Sequence, residues 1–179
     1  MSQDEREQRR VELGRDLKAA AYLEGDFLLS SGQRSKFYFD KYLFETKPDI
    51  LRRLAVFLAE MIPPGVTRLA GPELGGVALA TAVSLQSNLP FVIVKKEVKD
   101  YATGNQVEGE LHAGDRVVVF EDILTTGTQA IGAATKLTQL GARVERIIGV
   151  VDRSGVARGN AAAAGFVLES LFTRDDLGV

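Results

Sequence analysis

The feature that most limits what this chain can fold into is an alternation that begins at Arg68. Apolar runs too continuous for half-exposed strands, at residues 91–94 (FVIV), 117–120 (VVVF) and 147–151 (IIGVV), are separated by helical stretches at 75–85 and 127–140. A strand that is apolar on consecutive residues has to be covered on both faces. Strands that alternate with helices achieve this when they lie parallel with helices packed above and below them. The expected class is therefore α/β, a parallel twisted sheet flanked by helices. Arg68-Leu69-Ala70 reads as one more brief strand, and Gly141 stands where the C-terminal cap of the 127–140 helix belongs.

The segment before Arg68 has another character. Ser2 followed by Glu5 is a capping box for a helix running to about Ala21, with Val11, Leu17, Ala20 and Ala21 available for burial. Phe27-Leu28-Leu29 and Phe37-Tyr38-Phe39 flank Ser31-Gly32-Gln33-Arg34, the pattern of a β-hairpin with a glycine-containing turn. A helix follows from Pro48, with Leu51, Leu54, Ala55, Leu58 and Met61 at helical spacing, and Pro63-Pro64-Gly65 ends it. At 179 residues and 45% hydrophobic content the chain can bury one good core but hardly two. The expectation is one domain over residues 1–179, with residues 1–45 forming a small N-terminal hood of helix and hairpin.

Composition excludes more than it suggests. With 22 basic against 24 acidic residues the formal charge is −2, so there is no global attraction to nucleic acid or to an anionic membrane. Cysteine is absent, and the single histidine, His112, cannot assemble a histidine metal centre or a Ser-His-Asp triad. The first ten residues are charged and no run approaches the roughly 20 apolar residues of a membrane span, which reads as a cytoplasmic protein with neither a nucleic-acid nor a membrane partner.

Open α/β sheets bind ligands at the C-terminal ends of their strands, where loops meet helix N-termini. Glu121 and Asp122 stand at such an end, in VVVFEDILTTGTQA. Thr125, Thr126, Gly127 and Thr128 then open a helix whose free N–H groups and positive dipole end suit a phosphate, with Gly127 allowing close approach of the backbone. Carboxylates beside a phosphate cradle must face something other than phosphate. Ribose hydroxyls with a Mg²⁺ nearby meet that requirement.

The stretch VVVFEDILTTGT resembles the phosphoribosyl pyrophosphate motif of type I phosphoribosyltransferases: a hydrophobic strand, two acids, two apolar residues and a Thr/Gly loop. The resemblance extends over nearly the whole chain in the order of the orotate phosphoribosyltransferase family. Residues 27–41 (FLLSSGQRSKFYFDK) are similar to that family's N-terminal segment, 71–80 (GPELGGVALA) to its pyrophosphate-side loop, 95–109 (KKEVKDYATGNQVEG) to its mobile catalytic loop, and 151–155 (VDRSG) to its base-side loop.

What the resemblance implies is specific. Glu121 and Asp122 would hold the ribose 2′- and 3′-hydroxyls, and Ile123 and Leu124 would lead into Thr125, Thr126, Gly127, Thr128 and Gln129 around the 5′-phosphate. Lys95, Lys96, Lys99 and Tyr101 would reach the pyrophosphate, with Lys99 joining the two acids in catalysis. Thr125 and Arg153 would hold orotate, with Phe37 and Tyr38 beside its ring, since a guanidinium pairs bidentately with a planar ring bearing a carboxylate. Mg²⁺ would be the cofactor, held mainly by substrate and water rather than by direct protein ligands. The family's loop reaches into the neighbouring subunit's site, which implies a homodimer with shared active sites. Gly75 stands where some members carry a lysine, and Tyr101 where some carry a histidine.

The implied reaction converts orotate and 5-phospho-α-D-ribose 1-diphosphate to orotidine 5′-phosphate and diphosphate in de novo pyrimidine synthesis. Two alternatives share the acidic motif: a regulator on this fold that senses phosphoribosyl pyrophosphate without turning it over, and a phosphoribosyltransferase for another base. Against the regulator, no helix-turn-helix segment precedes Phe27. His112 and Phe39 read as a turn residue and a core residue and stay outside the expected site.

Overall fold

The computed structural model describes residues 2–28, 32, 34–96 and 105–179, with the backbone alone at Ser35 and Phe37. The capping box forms as its spacing requires. The Ser2 hydroxyl accepts the Glu5 N–H at 3.2 Å, and the Glu5 carboxylate accepts the Ser2 N–H at 2.8 Å. Helix α1 (Gln3–Ala21) follows and buries Leu13, Leu17 and Ala21, a strict four-residue stripe. Val11 lies off that stripe and is exposed, so Leu13 takes the place expected of it.

Strands β1 (Tyr22–Leu28) and β2 (Arg34–Phe39) pair antiparallel from Tyr22 opposite Phe39 to Leu28 opposite Arg34, forming the hairpin. β1 begins five residues before the apolar run at Phe27, because it is exposed over Leu23, Glu24, Gly25 and Asp26 and needs no apolar signature. A short helix α2 (Tyr42–Glu45) leads to α3 (Pro48–Glu60), which has proline in its first turn, where no N–H is missed.

The main sheet has the order β5-β4-β3-β6-β7-β8. It is built from β3 (Arg68–Pro72), β4 (Phe91–Val94), β6 (Arg116–Leu124), β7 (Arg143–Asp152) and β8 (Leu168–Thr173), all parallel to their neighbours, with β5 (Val107–Glu108) antiparallel on the β4 edge. Helices α4 (Gly75–Ser87), α5 (Thr128–Gln139), α6 (Ala157–Ala163) and α7 (Arg174–Leu177) complete the chain. Of the expected alternation, the strand and helix positions hold. β5 and β8 are additions. β8 reads LESLFT, so Glu169 and Ser170 interrupt the apolar run that would have marked it.

The continuous apolar strands are explained by burial on both faces of the sheet. Val118 and Phe120 of β6 pack with α1, α3 and α4 on one face, while Val117 and Val119 pack with α5 and α6 on the other. Glycines let α4 approach the sheet closely: a Cβ on Gly71 would lie 2.4 Å from the Gly76 carbonyl oxygen, and one on Gly76 would lie 2.6 Å from the Phe120 carbonyl oxygen. Among the described residues no helix is long and apolar enough to cross a membrane.

Candidate active site

β6 runs four residues past Phe120, so the two acids lie within its paired part, with Glu121 opposite Gly149 and Leu124 opposite Asp152. The expectation that they stand just beyond the strand is corrected here. Ile123 and Leu124 still have apolar surface to bury, and they carry the strand on. The residues Glu121 and Asp122 are accordingly 4% and 1% exposed.

The pleat turns Asp122 to the Phe120 side, where it meets residues of the N-terminal segment. Lys41 Nζ lies 2.7 Å from Asp122 Oδ2, a close ion pair without the angle of a hydrogen bond, and Asp122 Oδ1 accepts the Ile123 N–H. Glu45, buried at the end of α2, reaches the same place. A Cβ on Gly75 would lie 1.6 Å from Asp122 Oδ2 and 2.6 Å from Glu45 Oε1. Glu121 Oε1 accepts the Asp122 N–H at 3.3 Å, whereas Glu121 Oε2 and Glu45 Oε1 are buried and meet no hydrogen-bond donor.

Three carboxyl groups and one ammonium thus share a water-poor space. Burial, then the charge of Asp122, pushes the Glu121 carboxyl up to about 8. Burial, then a hydrogen bond with Asp122 and its charge, pushes Glu45 up to about 9. At Lys41 burial pulls the ammonium down, but the Asp122 carboxylate outweighs it and holds the pKa above its ordinary value.

A cleft of about 300 Å³ opens over the acids, lined by Lys41 and the ten residues 121–130, so Ile123 and Leu124 line it together with the Thr/Gly loop. Gly127 caps α5 at φ +76°, and a Cβ there would also press on Ala157 at 3.3 Å. The first-turn N–H groups of α5, free of intrahelical partners, belong to residues that line the cleft. The loop is held from behind. The Ser154 hydroxyl donates to the Thr125 carbonyl, Asn160 Nδ2 donates to the Thr126 carbonyl at 2.9 Å, and the Arg153 N–H donates to the Leu124 carbonyl at 2.8 Å. Asp152 in turn accepts the Ser154 and Gly155 N–H groups at 3.1 and 2.9 Å, a side-chain turn that shapes the loop presenting Arg153.

Two further cavities abut this cleft. One of about 180 Å³ is lined by Tyr22, Phe39, Thr125, Val151, Arg153, Ser154, Arg174 and Val179. It brings the expected pair Thr125 and Arg153 together. Tyr38 points elsewhere, 41% exposed with its ring 5.6 Å from Phe27, and the side chain of Phe37 lies outside the described part. Phe39, set aside as core, lines the cavity instead, because neighbouring strand residues face opposite ways. The other cavity, about 340 Å³, is lined by Lys95, Lys96, Glu73, Thr128, Gln129 and Lys136 among others. Lys95 there pairs with Glu108 at 2.7 Å, the Lys96 N–H donates to Glu73, and Lys136 Nζ donates to the Lys95 and Lys96 carbonyls at 2.7 and 3.2 Å. Lys99 and Tyr101 fall outside the described residues.

Sequence reasoning missed Lys41, Glu45, Tyr22, Asp152, Asn160 and Arg174. Only Asp152 carried a local signal, the acid followed by Ser154 and Gly155 that marks a side-chain turn. Among the described residues no group of three or more His, Asp or Glu side chains is arranged to ligate a metal ion.

No family model matches the sequence. Individual proteins do. The chain is 48% identical over 163 residues to the orotate phosphoribosyltransferase of Natronomonas pharaonis, covering 91% of this chain and 92% of that one. In solved structures it superposes on Mycobacterium tuberculosis orotate phosphoribosyltransferase in complex with Fe(III) dicitrate, with TM-score 0.86 and 26% identity over 96% of this chain and 99% of that one. It also superposes on the same enzyme in complex with 5-phospho-α-D-ribosyl 1-diphosphate, with TM-score 0.80 and 25% identity over the same shares. An acid-bearing strand that runs into a glycine-capped helix, set in a parallel sheet of this order and matched at such identity across nine-tenths of both sequences, places the chain in the orotate phosphoribosyltransferase family.

Proposed function

We propose that the protein transfers the phosphoribosyl group of 5-phospho-α-D-ribose 1-diphosphate to orotate, releasing diphosphate and forming orotidine 5′-phosphate for de novo pyrimidine synthesis. The observation that carries this reading is that Thr125 lines both the acid-bearing cleft and the Arg153 cavity. A sugar phosphate in the first and a planar base in the second would therefore meet at one residue.

Each part of the site has a task. Glu121 and Asp122 accept hydrogen bonds from the ribose hydroxyls, fixing the ring. Residues 125–129 offer N–H groups and hydroxyls to the 5′-phosphate, and the Thr126 and Thr128 hydroxyls already stand 2.8 Å apart. Arg153 pairs with the carboxylate of orotate, between the aromatic walls of Tyr22 and Phe39. Lys95 and Lys96 face the departing pyrophosphate, Lys95 by exchanging its Glu108 partner for a phosphate oxygen. Lys99 and Tyr101 join them on the strength of the family resemblance.

Displacement at the ribose C1 passes through an oxocarbenium-like state, so fixed charges around a departing polyanion and an in-line base supply most of the acceleration. Mg²⁺, held mainly through substrate oxygens and water, would neutralise the pyrophosphate. This suits acids that are committed to Lys41, to each other and to backbone N–H groups. We further propose a cytoplasmic homodimer in which the segment carrying Lys99 completes the partner's site, with residues 1–45 serving as the hood over the base.

Steady-state assays with orotate, uracil, adenine and hypoxanthine, each with phosphoribosyl pyrophosphate and Mg²⁺, test the reading. The expected result is diphosphate release with orotate far above the other bases, abolished by chelation. Preference for another base would overturn the substrate, and tight binding of phosphoribosyl pyrophosphate without turnover would favour the sensor.

A further inference from the structure

Glu45 takes no part in the proposed transfer, yet the residue is 5% exposed, comes from outside the main sheet and ends beside the carboxylate of Asp122. Its setting is built by two independent features. The first is helical spacing: the Glu45 N–H donates to the Lys41 carbonyl at 3.1 Å, so Lys41 and Glu45, four residues apart, project on the same side and both reach Asp122. The second is the missing side chain at residue 75. Asp122 Oδ2 and Glu45 Oε1 both lie within 2.6 Å of the point where a Cβ on Gly75 would be, so the two oxygens share the space that the glycine leaves open.

We propose that Glu45 is a positioning residue for the reaction: it donates a hydrogen bond to Asp122 Oδ2 and, with Lys41, fixes the carboxylate that meets the ribose, and Gly75 is the gap that admits this contact. The proposal rests on the reading of Asp122 as a ribose ligand. It accounts for several facts at once. Two buried carboxyl groups in contact are tolerable only if a proton lies between them, and the raised pKa of Glu45 puts that proton on Glu45. Asp122 Oδ1 is already held by the Ile123 N–H, so Lys41 and Glu45 together determine how the other oxygen is held. Gly75 then has a structural reason in this chain: any side chain there collides with the pair.

The experiment compares Glu45→Gln with Glu45→Leu. Glutamine keeps a donor of nearly the same shape, and leucine keeps bulk without one. Glu45→Gln is expected to stay within a few-fold of wild type. Glu45→Leu is expected to lose about 10- to 50-fold in kcat/KM for phosphoribosyl pyrophosphate, the range for removing a hydrogen bond to a charged group, with little change in the KM for orotate. Equal losses in both variants, or none in either, overturn the proposal.

Gly75→Ala is a second route that leaves Glu45 in place. Its Cβ must displace the pair, so it should reproduce the Glu45→Leu defect, and adding Glu45→Ala to it should cause little further loss. Losses that multiply independently also overturn the proposal. Asp122→Asn separates the two readings. If it leaves activity intact, the role of Asp122 fails. If it abolishes activity while Glu45→Leu is as active as wild type, the role of Glu45 alone fails.

Discussion

The acid-bearing cleft and the Arg153 cavity adjoin at Thr125, yet they are assembled in opposite ways. Apart from Lys41, the cleft is one unbroken stretch of chain, residues 121–130, running from strand to helix. The cavity gathers Tyr22 and Phe39 from the N-terminal hairpin, Thr125 from the β6–α5 loop, Val151, Arg153 and Ser154 from the end of β7, and Arg174 from α7. A phosphate and a ribose can be received by consecutive residues, because backbone N–H groups and adjacent acids come in sequence order. A flat ring needs walls on both sides, and walls come from distant segments.

The largest effect is expected at the cleft. Asp122→Asn should lower kcat/KM by about 10²- to 10³-fold, the range seen when one preorganised polar contact to a reacting centre is removed. The folded state should survive, since the change relieves a crowded acidic cluster and leaves the Lys41 ammonium partly exposed to water. Thermal unfolding and circular dichroism check the fold. A protein that no longer folds would make Asp122 a structural residue and the cleft a packing feature.

On the cavity side the effect should be smaller and confined to one substrate. Arg153→Ala should raise the KM for orotate about 30-fold, corresponding to roughly 2 kcal/mol for a charged hydrogen-bond partner, and leave the KM for phosphoribosyl pyrophosphate nearly unchanged. Initial-rate measurements with each substrate varied in turn decide it. Equal rises for both would mean that the two regions form one site and not two.

The same contrast explains what could be read in advance. The paired acids, the Thr/Gly loop, the parallel sheet and the capping box at Ser2 were legible because each is written in consecutive residues or in one helical period. Glu45 and Lys41 were not, because their meaning depends on α2 folding over the end of β6. Phe39 shows the difficulty most clearly. An aromatic residue in an apolar run is ordinary core in most proteins, and which of Phe37, Tyr38 and Phe39 faces the cavity is a question of strand register, where one step reverses the answer. β8 escaped for a related reason: as an edge strand it tolerates Glu169, whose carboxylate pairs with Arg146 at 3.0 Å.

Register makes a third, smaller prediction. Phe39→Leu should raise the KM for orotate by a few-fold and reduce stability by about 1 kcal/mol, as a smaller apolar side chain in a buried wall does. Tyr38→Leu, on the exposed side of the same strand, should leave the KM unchanged and stability within about 0.5 kcal/mol. If Tyr38→Leu is instead the variant that weakens orotate, the hairpin presents its other face when the base is bound.

The two regions also differ in how their stability responds to pH. Glu45 and Glu121 have folded-state pKa values of about 9 and about 8, above their ordinary value of 4.5, so between these limits the folded protein holds protons that the unfolded chain has released. Stability from these groups is therefore complete below about pH 4.5, declines as the pH rises, and is lost as it passes through about 8 and 9. Asp115 and Asp176 act the other way. Burial alone would raise them, but hydrogen bonds and nearby arginines hold both below their ordinary value of 3.8, so their contribution is lost only as the pH falls below that range. The ligand-free protein should accordingly be most stable near pH 5, and its melting temperature should fall steadily towards pH 9. Glu45→Gln should flatten this decline because its amide does not titrate, whereas Arg153→Ala should leave the slope as it is. Melting temperatures measured from pH 4 to 9 for the three proteins check both halves. A slope unaltered by Glu45→Gln would mean that the carboxyl groups around Asp122 are hydrated and titrate normally, and that the cleft is as open to water as the surface around it.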